Sequence, residues 1–127
     1  SYAARMHAFE ALSARVAAFS EARDWRQFHS PKNLATCLSV EASELLELFM
    51  WTRDQVPLPG EVLPPGTEAP DPQAVADEVA DVLISLLNFC AVSGIDPVAA
   101  ADSKLTRLAK KYPIATARGS AIKGQLE

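Results

Sequence analysis

The feature that most constrains the fold of this chain is the distribution of its prolines. Six of the nine prolines lie between Pro57 and Pro72, in the segment PLPGEVLPPGTEAPDP. Proline has no backbone N–H and its ring clashes with the preceding helical turn, so a segment this rich in proline does not form a helix. The segment also lacks the alternation of apolar and polar residues that favours a strand. Residues 57–72 are therefore predicted to form one long loop.

On both sides of this loop, apolar residues recur at helical spacing. Two helix starts are marked by a capping residue followed by proline, at Ser30-Pro31 and at Asp96-Pro97, and Gly94 marks a helix end. The pattern predicts an all-α fold, a four-helix bundle in a single domain over residues 1–127, with a flexible tail from about residue 114 to 127. The predicted helices span about residues 3–22, 31–51, 72–93 and 97–111.

Composition excludes several classes of protein. The chain has 127 residues, of which 49% are hydrophobic and 22% charged, as in an ordinary globular domain. The net charge of −4 argues against a partner made of nucleic acid. No apolar run reaches the ~18 residues of a membrane span, and the first residues do not resemble a secretion signal. Cys37 and Cys90 lie in apolar helical stretches, so we expect two buried thiols in a reducing, cytoplasmic protein.

The acidic residues are unevenly distributed along the chain. Between Asn33 and Ser103 there are 12 of the 16 acidic residues and only one basic residue, Arg53. Exposed helices usually mix charges, because Glu–Lys pairs one turn apart stabilise them slightly. The second and third predicted helices do not, which indicates that their carboxylates have another partner.

These carboxylates recur at helical spacing. The second helix carries one every three residues, and the third carries a narrow polar stripe on a surface that is otherwise apolar. A helix that is apolar on nearly every side is surrounded by other helices, so its polar stripe should face an enclosed site. The stripe on the second helix consists of Glu41, Glu44 and Glu47, and that on the third of Glu78, Asp81, Ser85 and Asn88.

Four carboxylates that face one another repel unless a cation lies between them. Because the ligands on offer are all oxygens, the pattern favours Mg²⁺, with Mn²⁺ as the alternative. Solvated helix faces are the other interpretation, and it remains open above all for Glu47 and Asp77. A di-iron site would need Glu-x-x-His pairs, and neither His7 nor His29 follows an acid by three residues.

Four segments together resemble a known family. RDWRQFHSPKN, VEASELLELFMW, DEVADVL and KLTRLAKKYP are similar, in this order, to the MazG-like all-α nucleoside triphosphate pyrophosphatases, in particular to their dCTP pyrophosphatase branch. The resemblance extends over about residues 19–120. It implies a four-helix unit that forms a homodimer or homotetramer. It also implies magnesium-dependent hydrolysis of a nucleoside triphosphate, such as dCTP or a related pyrimidine nucleotide, to the monophosphate and pyrophosphate.

The resemblance also implies roles for individual residues. It makes Glu41, Glu44, Glu78 and Asp81 the magnesium ligands, with Glu44 or Glu47 as the general base. From the residues alone, the tryptophans could equally be core residues, His29 could cap a turn, and the lysines could form a solvated helix face. The predicted substrate-binding residues are Trp25, Gln27, Phe28, His29, Lys32, Asn33, Trp51, Ser85, Asn88, Lys104, Lys111 and Tyr112.

Three positions depart from the family pattern. Ser85 stands where many relatives have tyrosine, and Val16 where the dCTP branch has a histidine that contacts substrate. Leu108 replaces an asparagine that often precedes the KYP sequence. These departures concern the choice of sugar and base more than the metal site. They also leave open a different class of function, a non-catalytic helical module that binds a nucleotide or a protein.

Overall fold

The computed structural model describes residues 1–123, and the regular secondary structure in that range is all helical, with no strand. This confirms the predicted all-α fold. The last four residues of the predicted tail, 124–127, lie outside the described residues. The helices are α1 (Tyr2–Ala22), α2 (Pro31–Glu47), α3 (Pro72–Ser93), α4 (Pro97–Lys111) and the single turn α5 (Ile114–Ala117), with a short 3₁₀-helix (Trp25–Phe28) between α1 and α2.

The predicted capping residues begin and end the helices as expected. The Ser30 hydroxyl accepts a hydrogen bond from Asn33 N at 3.1 Å, which satisfies one of the free N–H groups at the start of α2. One carboxylate oxygen of Asp96 accepts from the first turn of α4 in the same way. Gly94 follows α3 with a φ of +66°, a conformation that glycine adopts without steric cost.

The second helix is shorter than its sequence pattern predicts. It ends at Glu47, whereas the apolar spacing predicted an end near Trp51. Phe49 N donates to Leu46 O at 2.9 Å and Met50 N donates to Glu47 O at 3.2 Å, so the acceptors are three residues back rather than four. Such bonds tighten the last turn and end the α-helix before the proline-rich segment. Trp51 therefore lies in a turn instead of on a helix face.

The first unit, residues 1–93, is built on the contact between α2 and α3, with α1 packed against α3. Its buried apolar residues are Val16, Leu34, Leu87 and Cys90, so all three helices contribute to one small core. The prediction of two buried thiols was wrong for Cys37, which is exposed. An apolar neighbourhood in the sequence does not decide which side of a helix faces the core.

A buried polar contact connects α1 to α3. The Ser20 hydroxyl donates to Asn88 Oδ1 at 3.3 Å, and these side chains are only 2% and 8% exposed. Because a polar group buried without a partner is costly, this contact favours one alignment of α1 along α3.

The proline-rich loop has its own ion pair. Arg53 Nη1 lies 2.6 Å from Glu61 Oε1, and Glu61 Oε2 accepts from Leu58 N at 2.9 Å. The Arg53 cation and then the Leu58 N–H hold the pKa of Glu61 below its ordinary value. Arg53, the one basic residue between Asn33 and Ser103, is thus paired with an acidic residue of the loop.

The second unit comprises residues 94–123 of the described chain and contains α4 and α5. None of the residues in these two helices is fully buried. Within the described range no single helix is both long and apolar enough to cross a membrane, although α3 and α4 taken as a pair meet that test by length and composition.

Candidate metal and nucleotide site

Carboxylates from α2 and α3 meet between the two helices. One carboxylate oxygen from each of Glu41, Glu44 and Glu78 lies within 4.8 Å of the others. Asp81, one helical turn after Glu78, is exposed and lies outside this group of three, but its charge adds to the burial that raises the pKa of both Glu41 and Glu78. The four predicted metal ligands are therefore electrostatic neighbours, and we refer to them as the acidic cluster.

Two oxygens of the acidic cluster are buried without a hydrogen-bond donor. Glu41 Oε2 and Glu78 Oε2 are inaccessible to solvent, and neither has a partner among the described residues. Buried polar atoms in proteins are nearly always paired, so each unpaired oxygen calls for an explanation. A hard divalent cation would satisfy both oxygens and offset the repulsion between the carboxylates.

The electrostatics of the cluster follow from burial and from like charges. Burial raises the pKa of Glu41, and contact with Glu44 raises it further. Burial is also the largest cause of the raised pKa of Glu78, followed by the charges of Glu44, Asp81 and Asp77. Without a cation, the folded chain therefore holds protons on these glutamates more tightly than ordinary glutamates do.

An open groove of ≈660 Å³ lies beside the cluster. Its lining includes Glu44 and Glu78 together with Glu47, which the sequence predicted as an alternative general base. Asp71 also lines this groove and was not predicted. The sequence signal for Asp71 was its position directly before Pro72, where a capping residue begins α3 and its side chain comes near the first turns of that helix.

A second cavity, of ≈360 Å³, is formed by the 3₁₀-helix and the start of α2. We call it the aromatic cavity; its lining residues are Trp25, Phe28, His29, Asn33, Leu34 and Cys37. Trp25 packs edge-on against Phe19 with 5.7 Å between the ring centres. Four of the predicted substrate-binding residues thus lie together around one cavity.

The polar groups of the aromatic cavity are few and well defined. The Asn33 amide donates through Nδ2 to Phe28 O at 3.0 Å, which leaves its Oδ1 as an acceptor. Burial, and then the charge of Arg26, lower the pKa of His29 below its ordinary value. Cys37 was not predicted here, although it lies one helical turn from both Asn33 and Glu41 in the sequence.

The remaining predicted residues of the first unit lie elsewhere. Gln27 is exposed and donates to Asp24, Lys32 is exposed, and Trp51 is 74% exposed in the turn after α2. Ser85 is half-buried on α3. Asn88 is buried, and its amide oxygen accepts from two side chains of the protein itself.

Three predicted residues belong to the second unit. Lys111 and Tyr112 line a cavity of ≈310 Å³ with Lys123 and residues that follow α4, and Lys111 Nζ lies 5.7 Å from the centre of the Tyr112 ring. Lys104 is exposed on α4.

Comparison with known proteins identifies the family. The sequence model of the MazG-like family matches residues 37–125, and the chain belongs to this family. Similar curated proteins include dCTP pyrophosphatase 1 from Mus musculus, 41% identical over 107 residues, and from Homo sapiens, 39% identical over 107 residues. These matches cover 84% of the chain, and the chain spans about 60% of the length of these curated relatives.

A solved structure shares the fold. The crystal structure of a pyrophosphatase from Archaeoglobus fulgidus is 40% identical in sequence and superposes with a TM-score of 0.68. The match covers 83% of this chain and 92% of that one.

When divalent cations are removed, the acidic cluster should make the free energy of unfolding of the chain decrease as the pH rises. Glu41 and Glu78 have pKa values raised above the ordinary 4.5, so the folded state keeps protons that the unfolded state has already released. The free energy of unfolding contributed by these groups should therefore decrease as pH rises from about 4.5 through the raised values. Urea denaturation in EDTA across this range measures the slope.

Glu41→Gln should flatten this slope and stabilise the folded chain at neutral pH, because it removes one of the repelling charges. Glu21→Gln, at an exposed position on α1, is the matched control and should keep the slope of the natural chain. A slope that is the same in Glu41→Gln as in the natural chain would contradict the electrostatic account.

Proposed function

We propose that this chain is a magnesium-dependent nucleoside triphosphate pyrophosphohydrolase that converts dCTP or a related pyrimidine nucleotide to the monophosphate and pyrophosphate. The observation that carries the proposal is the cluster of three carboxylate oxygens within 4.8 Å, two of whose residues have a buried oxygen without a donor. Membership of the MazG-like family and similarity to proteins named dCTP pyrophosphatase 1 support the activity.

In this proposal Glu41, Glu44, Glu78 and Asp81 hold Mg²⁺, with Mn²⁺ as the alternative. When bound, the cation supplies positive charge against the triphosphate and Lewis acidity at the phosphorus that is attacked. Glu44 or Glu47 accepts a proton on a carboxylate oxygen from the water that attacks the α-phosphorus. Both carboxylates line the groove beside the cluster, which gives them access to that water. The bond between the α-phosphorus and the oxygen that bridges to the β-phosphate then breaks, and pyrophosphate leaves with that oxygen.

The aromatic cavity is the proposed site for the base. Trp25 and Phe28 offer ring faces on which a base can stack, at about 1–3 kcal/mol per stacked base. Trp51, Lys32 and Gln27 are proposed to complete the contacts with the nucleotide, as the family resemblance implies. Lys104, Lys111 and Tyr112 are proposed to act on its phosphates. A cytoplasmic location and a single domain over residues 1–127 remain predictions.

Apolar side chains on α2 and α3 support the predicted homo-oligomer. Leu46 on α2 is 68% exposed, and Phe49, in the turn that follows α2, and Ile84 on α3 are exposed as well. Large apolar residues in contact with water on neighbouring helices are typical of a surface that another copy covers.

We therefore expect a dimer or tetramer by light scattering at micromolar concentration. Leu46→Glu should lower the measured mass, because it places a charge in the proposed interface. Leu58→Glu is the control, because Leu58 is exposed to a similar extent, 73%, but lies in the proline-rich loop. A monomeric mass for the natural chain would contradict the assembly.

Removal of a metal ligand should abolish catalysis without unfolding the chain. Glu41→Gln and Asp81→Asn keep the shape of each side chain but remove the charge that holds the cation. Pyrophosphate release from a panel of deoxynucleotides and ribonucleotides should disappear in both variants and persist in Glu21→Gln. Turnover that needs no divalent cation would overturn the proposal, and nucleotide binding without any turnover would instead favour the non-catalytic module.

Ser85 should weaken the preference for deoxyribose. The family resemblance implies a tyrosine here that packs beside the sugar, and serine is smaller by a ring and can hydrogen-bond a hydroxyl. We expect Ser85→Tyr to raise the ratio of kcat/KM for dCTP to kcat/KM for CTP. The increase should correspond to up to ~1–3 kcal/mol of steric discrimination. Ser43→Tyr, on the exposed surface of α2, is a control. A natural chain that already prefers dCTP strongly, with no gain in Ser85→Tyr, would show that another side chain excludes the hydroxyl.

A further inference from the structure

A chain of polar contacts runs from α1 through α3 to the aromatic cavity. Asn88 Oδ1 accepts from the Ser20 hydroxyl at 3.3 Å and from Arg26 Nη1 at 3.4 Å. The same Arg26 nitrogen lies 3.4 Å from Nδ1 of His29, a lining residue of the cavity. Because Ser20 and Asn88 are more than nine-tenths buried, the amide oxygen is an acceptor fixed in the core.

The chemistry of arginine decides the form of the histidine ring. A guanidinium carries only donors, and its terminal nitrogen has two hydrogens, so Arg26 Nη1 can donate to Asn88 and to His29 together. The contact with Nδ1 requires that this nitrogen be unprotonated. In a neutral imidazole the hydrogen then resides on Nε2, which is the ring nitrogen left for a ligand.

The surroundings of His29 favour this neutral form. Burial is the first cause of its lowered pKa, and the neighbouring Arg26 cation is the second. Asn33 lines the same cavity and has a defined hydrogen-bonding role. Its Nδ2 donates to Phe28 O, which leaves its Oδ1 as an acceptor.

We infer that Arg26, held by Asn88, is a positioning residue that fixes His29 as a neutral Nε2–H donor, so that the aromatic cavity takes a base whose facing edge offers a hydrogen-bond acceptor. The inference deepens the proposed function and rests on it for the identity of the ligand as a nucleotide. Arg26 itself acts through His29 and has no role in the hydrolysis step. A cytosine ring, whose N3 accepts next to a donating amino group, has an edge of this kind.

The form of the ring can be observed directly by nitrogen NMR of the full chain at about pH 8, where a histidine of ordinary pKa is neutral. The chain has only two histidines, so His7→Gln assigns the signals. We expect His29 to be protonated on Nε2 and unprotonated on Nδ1. Arg26→Met should give a mixture of both forms, and Arg15→Met, an exposed arginine on α1, should not change the spectrum. Protonation on Nδ1 in the natural chain would overturn the inference.

Binding tests the consequence for the ligand. The probe is dCMP in EDTA, measured by calorimetry, which requires neither turnover nor metal. Loss of a well-oriented hydrogen bond predicts that Arg26→Met weakens dCMP binding by about 3- to 10-fold. Asn88→Leu should also weaken dCMP binding. Asn88→Asp, which keeps an acceptor for Arg26, should restore it, and a merely structural role for Asn88 would not give that rescue. Equal dCMP affinity in the natural chain and Arg26→Met would overturn the inference.

Kinetics separate this inference from the proposed function. With dCTP and Mg²⁺, Arg26→Met should raise KM by about the same factor and change kcat by less than about 2-fold, because the arginine is inferred to act on the base through His29 and not on the phosphates. A chain without any turnover refutes the proposed activity but leaves the NMR and dCMP results to decide the role of Arg26. A fall in kcat with unchanged KM would contradict the positioning role.

Discussion

The mutual repulsion of carboxylates between α2 and α3 is the constraint on which the rest of this structure depends. Glu41, Glu44 and Glu78 bring oxygens within 4.8 Å of one another, and the one basic residue of this region, Arg53, is paired with Glu61 in the loop. Such an arrangement costs stability in the absence of a cation, since like charges and buried unpaired oxygens both oppose folding. Its presence in a small domain therefore supports the proposed cation site.

The fold tolerates this repulsion because α2 and α3 also share an apolar core with α1. Leu34 from α2 and Leu87 from α3 are buried in a core that also receives Val16 from α1. The core brings the acidic faces of the two helices together, and the hydrogen bond between Ser20 and Asn88 sets α1 against α3. The same buried asparagine accepts from Arg26, and Arg26 in turn contacts His29, which lines the aromatic cavity proposed as the base site.

The parts of the structure that depend on local rules could be predicted from the sequence. Capping residues and prolines gave the starts of α2 and α4, and spacing by three placed Glu41 and Glu44 on one side of α2. The end of α2 was predicted four residues too late, because the switch to tighter hydrogen bonds has no counterpart in apolar periodicity. The contact between Arg26 and Asn88 could not be predicted, since it joins residues 62 positions apart.

The central claim, that the acidic cluster is a cation site, is tested most directly by the melting temperature of the purified chain as Mg²⁺ is added, compared with Glu41→Gln. A cation that binds only the folded state stabilises it in proportion to the logarithm of its concentration above the dissociation constant. The melting temperature of the natural chain should therefore rise with Mg²⁺. That of Glu41→Gln should start higher, because a repelling charge is gone, and respond little. A natural chain whose melting temperature responds to neither Mg²⁺ nor Mn²⁺, or responds no more than Glu41→Gln, would contradict the account.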